Sequence, residues 1–209
     1  MNQILKIKNS NKIKKHQKKL KIQLFISLTA IAVFIIFGLY SYNIRLKKES
    51  LSNLLLNNFY IENIYSKNQN YTVLELNNKD KYFIIGVVEI PKINVKYPIL
   101  SDTNDELLKI SACRFYGPNP NKVGNLCIAA HNYDDNRFFS NLYQLNIGDS
   151  INIYDTSNSL VSYYIYDKYE ISKNDTSCTN QNTNGKREIT LLTCNNVTKN
   201  RLIVKASEL

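Results

Sequence analysis

From Ile22 to Tyr42 the chain reads IQLFISLTAIAVFIIFGLYSY, without one charged side chain. A run of about 21 such residues, rising ~1.5 Å each as a helix, covers the ~30 Å hydrocarbon core of a bilayer. In lipid each backbone N–H and C=O must be satisfied inside the segment, so this stretch is confined to a helix. Lysines 6, 8, 12, 14, 15, 18, 19 and 21 precede the run, and Arg45, Lys47 and Lys48 follow it closely. The positive-inside bias therefore predicts a cytoplasmic N-terminus and an extracellular chain beyond about Tyr42. A cleaved signal peptide is the competing reading. The run exceeds a usual signal h-region and no A-x-A pattern follows it, which favours a retained anchor.

The position of the charge decides what the formal net charge of +10 means. Eleven basic residues and no acid lie between Met1 and Lys48, so the rest of the chain carries 10 − 11 = −1. A near-neutral body lacks the basic face that phosphate binding requires, which excludes a nucleic-acid partner. The lysines beside an apolar run suit a membrane surface instead.

These features divide the chain into a basic cytoplasmic leader (1–21), a transmembrane signal anchor (22–42), a stalk or N-terminal helix (43–70) and one compact domain (71–209). The last part is long enough for its own core without disulfide staples. Between Glu49 and Ser66, Leu51, Leu54, Leu55, Phe59 and Ile61 recur at helical spacing, predicting an amphipathic helix that is either a stalk or a docked first helix. The polar stretch 67–70 then separates it from an alternating strand at 71–76 and a turn at 77–81. Further strands are predicted at 84–90, 95–100, 125–130, 150–154, 161–171, 188–193 and 202–206. Many short strands with sparse helix indicate an all-β barrel. Asp105–Ile110 reads as a short helix, and Phe138, Phe139, Leu142 and Leu145 as the apolar face of another. The polar run 172–187 is a loop placed where binding sites are commonly shaped.

One cysteine stands where chemistry is possible. Ile189-Thr190-Leu191-Leu192-Thr193-Cys194 ends an apolar strand with a thiol, and Arg201 follows seven positions later. The chain has two histidines, and His16 lies in the basic leader, so His131 is the imidazole available to the domain. A thiol attacks as thiolate and needs a basic or cationic neighbour. His131 ends the run 125–130 as Cys194 ends 189–193, and neighbouring parallel strands would bring both to one rim. A turn over 195–200 would return Arg201 beside Cys194 as a hairpin, where a guanidinium can donate to a developing oxyanion. Singly, each has a plain alternative as a packed cysteine, a structural histidine or a solvated cation. An essential Cys194 leaves Cys113, Cys127 and Cys178 as an odd set able to form at most one disulfide. Cys127, inside Leu126-Cys127-Ile128-Ala129-Ala130, reads as a buried small hydrophobe.

Taken together the chain resembles the sortases. Thr190-Leu191-Leu192-Thr193-Cys194 matches their TLxTC signature, followed by the arginine and strand at Arg201-Leu202-Ile203-Val204 and preceded by a strand-terminal histidine at His131. The similarity extends through residues 86–93, 138–142 and 146–149, and covers roughly 84–206. The resemblance implies an eight-stranded sortase-type barrel with short helices on the outer face of a Gram-positive membrane. It implies cysteine transpeptidation of surface proteins bearing an LPxTG-like sorting signal. Cys194 would form the thioacyl intermediate, and His131 would protonate the leaving amine and then deprotonate the incoming one. Arg201 would position the signal and stabilise the oxyanion, and Thr193 would be a secondary substrate contact. The acceptor would be an amino group of the cell-wall precursor, peptidoglycan or a pilin lysine.

The departures concern class. Ala130 precedes His131 where many members have glycine. No second apolar span follows Ala206, which argues against the pilus-polymerising class, and the short 172–187 loop leaves little room for the long helix of class B, although His131-Asn132 looks class-B-like. A class D-like or class A-like enzyme is the expectation. No cofactor is expected, and no metal, because the acidic set for a calcium site is not evident in the sequence. Two other readings compete: a thiol peptidase that passes the acyl group to water, and a non-catalytic, membrane-tethered binding module with tyrosine-rich strands.

Overall fold

The computed structural model of the protein describes residues 2–65, 73–76 and 80–209, with side chains described over 14–60 and 81–209. The chain divides into two units, Met1–Lys47 and Lys48–Leu209. Helix α1 spans Asn2–Tyr65 and contributes to both. In the first unit its apolar side chains face outward, with Phe25 69 % and Phe34 77 % exposed. This is a helix long and apolar enough to cross a membrane, and a surface of that kind is unfavourable in water.

In the second unit the last turns of α1 are docked, one of the two predicted alternatives. Leu55 and Phe59 are buried against Leu107, Ile110, Val87 and Leu100, with Leu51 packed beside them. Leu54, predicted on the same face, points outward at 55 % exposure. The side chain of Ile61 lies outside the described residues, as do the expected polar stretch 67–70 and the turn residues 77–79.

The strands are β1 (Val73–Leu76), β2 (Asp80–Ile90), β3 (Val95–Leu100), β4 (Ala112–Tyr116), β5 (Gly124–Ala129), β6 (Ser150–Asp155), β7 (Leu160–Ile171), β8 (Arg187–Cys194) and β9 (Arg201–Ser207), with a short helix α2 (Asp105–Leu108) between β3 and β4. They follow one another in space as β2-β3-β4-β5-β8-β9-β7-β6, and β6 pairs again with β2. The expected eight-stranded barrel is thus closed, and β1 extends the start of β2 as a hairpin arm. Closure leaves eight strands without a free edge. At the seam a Cβ on Gly86 would lie 2.4 Å from the Tyr154 carbonyl oxygen, so only glycine fits that approach.

Alternation along the strands sorts side chains into two faces. Leu126, Ile128, Ile189, Leu191, Val204 and Ala206 enter the barrel core together with Phe138, Phe139, Leu142 and Leu145. Cys127, Ala129, Leu192 and Ile203 form a separate cluster on the outer face, covered by Cys178, Phe115, Tyr169 and Ile171. Pro98 lies inside β3, opposite Val87. On its other side β3 pairs with β4 only at Ile99 and Leu100, so Pro98 sits where no ladder donor is required.

Two expectations change. The segment Phe138–Leu145 is not a helix: only Leu142–Gln144 forms a 3-10 turn. Asn136 and Phe138 adopt left-handed backbone, with φ of 63° and 53°, which breaks a helix before it starts. Its four apolar side chains still reach the core. Strand β4, which the sequence did not suggest, fills the barrel between β3 and β5. All four cysteines are free, so the disulfide permitted by the sequence is not formed.

Candidate active site

Parallel pairing of β5 with β8 aligns Cys127 with Thr190 and Ala129 with Leu192. Regular pairing ends there, and His131 and Cys194 each follow two residues further along their chains. Antiparallel pairing of β8 with β9 sets Arg201 directly opposite Cys194. Alternation sends the Cys194 and Arg201 side chains to the outer face of the sheet, above a floor of Ala129, Leu192 and Ile203, and His131 follows the end of β5, half-buried. Their neighbours Ala130, Thr193 and Leu202 turn inward.

The rim is held by hydrogen bonds between the two strand ends. The Ala130 amide donates to the Leu192 carbonyl oxygen at 3.2 Å. Thr193 Oγ1 donates to the Ala130 carbonyl oxygen at 2.7 Å, and Asn132 Nδ2 to the Cys194 carbonyl oxygen at 2.8 Å. His131 is thus bracketed by residues fixed to those around Cys194. Its own carbonyl oxygen accepts from the Phe139 amide at 3.0 Å. Thr193 lines the cleft beside Cys194, but it is 4 % exposed and its hydroxyl proton is committed to Ala130.

Cys194 is exposed, whereas Cys113, Cys127 and Cys178 are buried. Burial pushes the Cys127 thiol up to about 12 and raises those of Cys113 and Cys178, so these three are inert as nucleophiles. Partial burial lowers the His131 pKa, Asp105 of α2 opposes that shift and Lys109 assists it. The imidazole is accordingly neutral near pH 7, the form that can take a thiol proton. The Arg201 guanidinium lies over the Phe115 ring at 5.5 Å, which holds it on the outer face.

Residues that sequence reasoning did not single out complete the setting. The Tyr133 ring lies 5.0 Å from the His131 ring, and the Arg137 guanidinium lies over it, 4.8 Å from its centroid. Arg137 is nearly buried and pairs with Asp135 at 2.8 Å and Glu49 of α1 at 3.9 Å. Asn196 Nδ2 donates to the Asn132 carbonyl oxygen and to Asp134 Oδ1, at 3.2 and 3.3 Å. The 172–186 loop is pinned across the sheet by buried Asn125, whose Nδ2 donates to the carbonyl oxygens of Cys178 and Asn180 at 2.9 and 3.1 Å. The clustering of asparagine at 132, 136, 141, 195 and 196 was the available signal, and it becomes visible only when two distant turns meet. Among the described residues, no group of three or more His, Cys, Asp and Glu side chains could hold a metal ion.

Residues 88–209 match the family model described as Sortase domain. Among solved structures the chain is similar to a Clostridium perfringens sortase D5 transpeptidase, with 28 % identity and a TM-score of 0.64 over 77 % of this chain and 99 % of that one. It is similar to sortase C1 of Streptococcus suis at 26 % identity and a TM-score of 0.54, covering 60 % of this chain and 72 % of the other. A lid mutant of sortase A from Corynebacterium diphtheriae shares the fold at 23 % identity and a TM-score of 0.56, covering 64 % and 74 %. A comparison with curated protein sequences gives no significant match.

Proposed function

The chain belongs to the sortase family, and from that premise we propose that it is a single-pass, membrane-anchored cysteine transpeptidase acting outside the cell on surface proteins with an LPxTG-like sorting signal. The observation that supports this reading is that Cys194 and Arg201 pair across the ends of β8 and β9 while His131 follows the end of β5, the strand beside β8. The solvent-facing apolar side chains of residues 22–42 support the anchor, and the lysines before them support a cytoplasmic N-terminus. The likeness to the sortase D5 transpeptidase, covering 99 % of that chain, favours a class D-like enzyme.

The chemistry follows from the protonation states. Neutral His131 takes the Cys194 proton as sulfur attacks the Thr–Gly carbonyl of the signal. The oxyanion that forms is stabilised by the Arg201 guanidinium. The imidazolium then protonates the departing amine, leaving a thioacyl group on Cys194. An amine of the cell wall attacks the thioester, His131 accepts its proton, and the thiol is restored. Thr193 acts by fixing the two strand ends through its hydroxyl, whose proton is thereby committed to Ala130.

The test is intact-mass measurement of the full-length protein in detergent micelles with a panel of LPxTG-like peptides, with and without an added amine. Acyl transfer through Cys194 gives an adduct that moves to the amine and is absent in Cys194→Ala. An adduct that water removes while the amine is ignored would make the protein a thiol peptidase. Normal acyl transfer by Cys194→Ala would sink the assignment of the nucleophile.

A further inference from the structure

The Arg201 guanidinium makes no hydrogen bond or ion pair among the described residues. Its place is set by the Phe115 ring and by the point where its own backbone enters β9. Cys194 and Arg201 are the last pair of the β8–β9 ladder, and between them the chain leaves the sheet for the turn 195–200. Whatever fixes that turn therefore fixes the cation relative to the sulfur atom.

Asn195 is the hub of the turn. Its amide donates to the Asn200 carbonyl oxygen at 2.8 Å, and its carbonyl oxygen accepts from the Lys199 amide at 2.9 Å. Its Oδ1 accepts from the amides of Val197 and Thr198 at 2.9 and 3.2 Å. Lys199 closes the turn with a φ of 61°, a left-handed conformation that a lysine rarely adopts and that the surroundings must hold. The hold comes from Glu170. Asn195 Nδ2 donates to Glu170 Oε1, and Thr198 Oγ1 donates to Glu170 Oε2 at 2.9 Å. Glu170 belongs to β7, which is separated from β8 by β9. It stands opposite Leu202, one pair short of the end of the β7–β9 ladder, and reaches past the start of β9 to the residue after Cys194. No backbone ladder makes this tie. The Asn195 and Thr198 donors hold the Glu170 carboxyl below the ordinary carboxylate range, so both bonds are charge-assisted at neutral pH. Glu170 forms no ion pair among the described residues, so its charge is directed at the turn.

We propose that Glu170 is a positioning residue of the acyl-transfer site: by clamping Asn195 and Thr198 it fixes the backbone from which Arg201 projects, and with it the guanidinium beside Cys194. The assignment rests on the acyl-transfer reading above and adds to it a residue that touches no reacting atom. A donor to an oxyanion acts only from the right place, and a misplacement of about 1 Å costs up to about a hundredfold in rate. Arg201 has no hydrogen bond of its own to correct such a shift. Glu170→Gln keeps an acceptor oxygen for Asn195 and offers an N–H to the Thr198 hydroxyl oxygen, so it preserves the clamp. Glu170→Ala removes both ties.

The experiment measures acylation of Cys194 by an LPxTG-like peptide in the full-length protein in detergent micelles, for both Glu170 variants, in the wild-type and Arg201→Met backgrounds. Glu170→Ala should slow acylation about tenfold, and Glu170→Gln should stay within about twofold of wild type. In the Arg201→Met background Glu170→Ala should add no further loss, because the group it positions is gone. Amide hydrogen exchange reads the clamp without any substrate. Glu170→Ala should speed exchange at Asn195 and Lys199 about tenfold while Leu191 and Val204 of the core keep wild-type rates, which also shows that the barrel is folded. Unchanged acylation, an equal loss in both backgrounds, or unchanged exchange at Asn195 and Lys199 would each overturn the assignment. Absence of any thioacyl adduct in wild type would instead bring down the acyl-transfer reading, and the positioning role with it, whatever the exchange rates show of the turn.

Discussion

The side-chain amide of Asn132 donates a 2.8 Å hydrogen bond to the carbonyl oxygen of Cys194, so the residue after the candidate base is tied to the residue that carries the nucleophile. Nothing in the backbone ladder makes this tie, because regular β5–β8 pairing ends at Ala129 and Leu192. Replacing Asn132 with Ala removes the donor and leaves Cys194 O to water. The expected effect is a fall in kcat of about tenfold with an unfolding free energy within about 1 kcal/mol of wild type. Steady-state kinetics together with urea unfolding separate the two; a large stability loss with normal kcat would show that the bond serves only the fold.

Thiol labelling should be selective without any mutation. Iodoacetamide under native conditions is expected to modify Cys194 alone, because Cys113 and Cys127 are 0 % exposed and Cys178 1 %, and burial raises all three thiols. Peptide mapping reads the sites. Labelling of Cys178 at the rate of Cys194 would mean that the 172–186 loop opens readily.

His131 is expected to titrate below the ordinary histidine range, since burial outweighs the opposing influence of Asp105. A group whose folded pKa is lowered contributes stability above its unfolded value of about 6.5, and that contribution is lost as pH falls through the folded value. Urea midpoints measured from pH 7 to pH 5 should therefore fall more steeply in wild type than in His131→Gln. Imidazole NMR gives the pKa directly, and a value above 6.5 contradicts the prediction.

Arg201→Lys is expected to lose nearly as much activity as Arg201→Met, about a hundredfold relative to wild type. A lysine keeps the charge but neither the planar contact on Phe115 nor the forked donor set. The acylation rate with a sorting peptide measures it, and near-normal acylation by the lysine variant would reduce Arg201 to a point charge.

Arg137 joins α1 to the loop of His131, through Glu49 on one side and the Tyr133 ring on the other. Arg137→Met should cost about 1–3 kcal/mol, because a nearly buried guanidinium loses its pairing with Asp135 as well as its ring contacts. Glu49→Gln, at a 3.9 Å separation with a partly solvated carboxylate, should cost under about 1 kcal/mol. Chemical unfolding of both variants checks the order.

Much of this arrangement could be read before the structure. The pattern of apolar residues in 125–130 and 189–193 specified two buried strands with polar chemistry at their ends, and the six residues 195–200 allowed only a tight return to Arg201. Both follow from local rules of strand period and turn length. Strand β4 escaped because Ala112-Cys113-Arg114-Phe115-Tyr116 has neither clean alternation nor turn residues close on both sides; its partners β3 and β5 define it. The segment Phe138–Leu145 was misread for the opposite reason. Its apolar spacing is helical, but left-handed backbone at Asn136 and Phe138 lets the same side chains reach the core from a loop. The cleft and Arg137 involve groups brought together from α1, the β5 loop and the β8–β9 turn, and no single window of sequence contains them.

Strand β5 lies beside β8 in parallel although the residues joined at the rim, Ala130 and Thr193, are 63 positions apart. Parallel neighbours cannot be reached by a tight turn, and contacts of such separation carry a large loop-closure cost before they contribute anything. Local elements such as the β8–β9 hairpin can form early, but the meeting of imidazole and thiol waits for the long-range event. The cysteine therefore gains its imidazole partner only when the whole sheet has closed, so catalytic competence arrives as a certificate of completed folding.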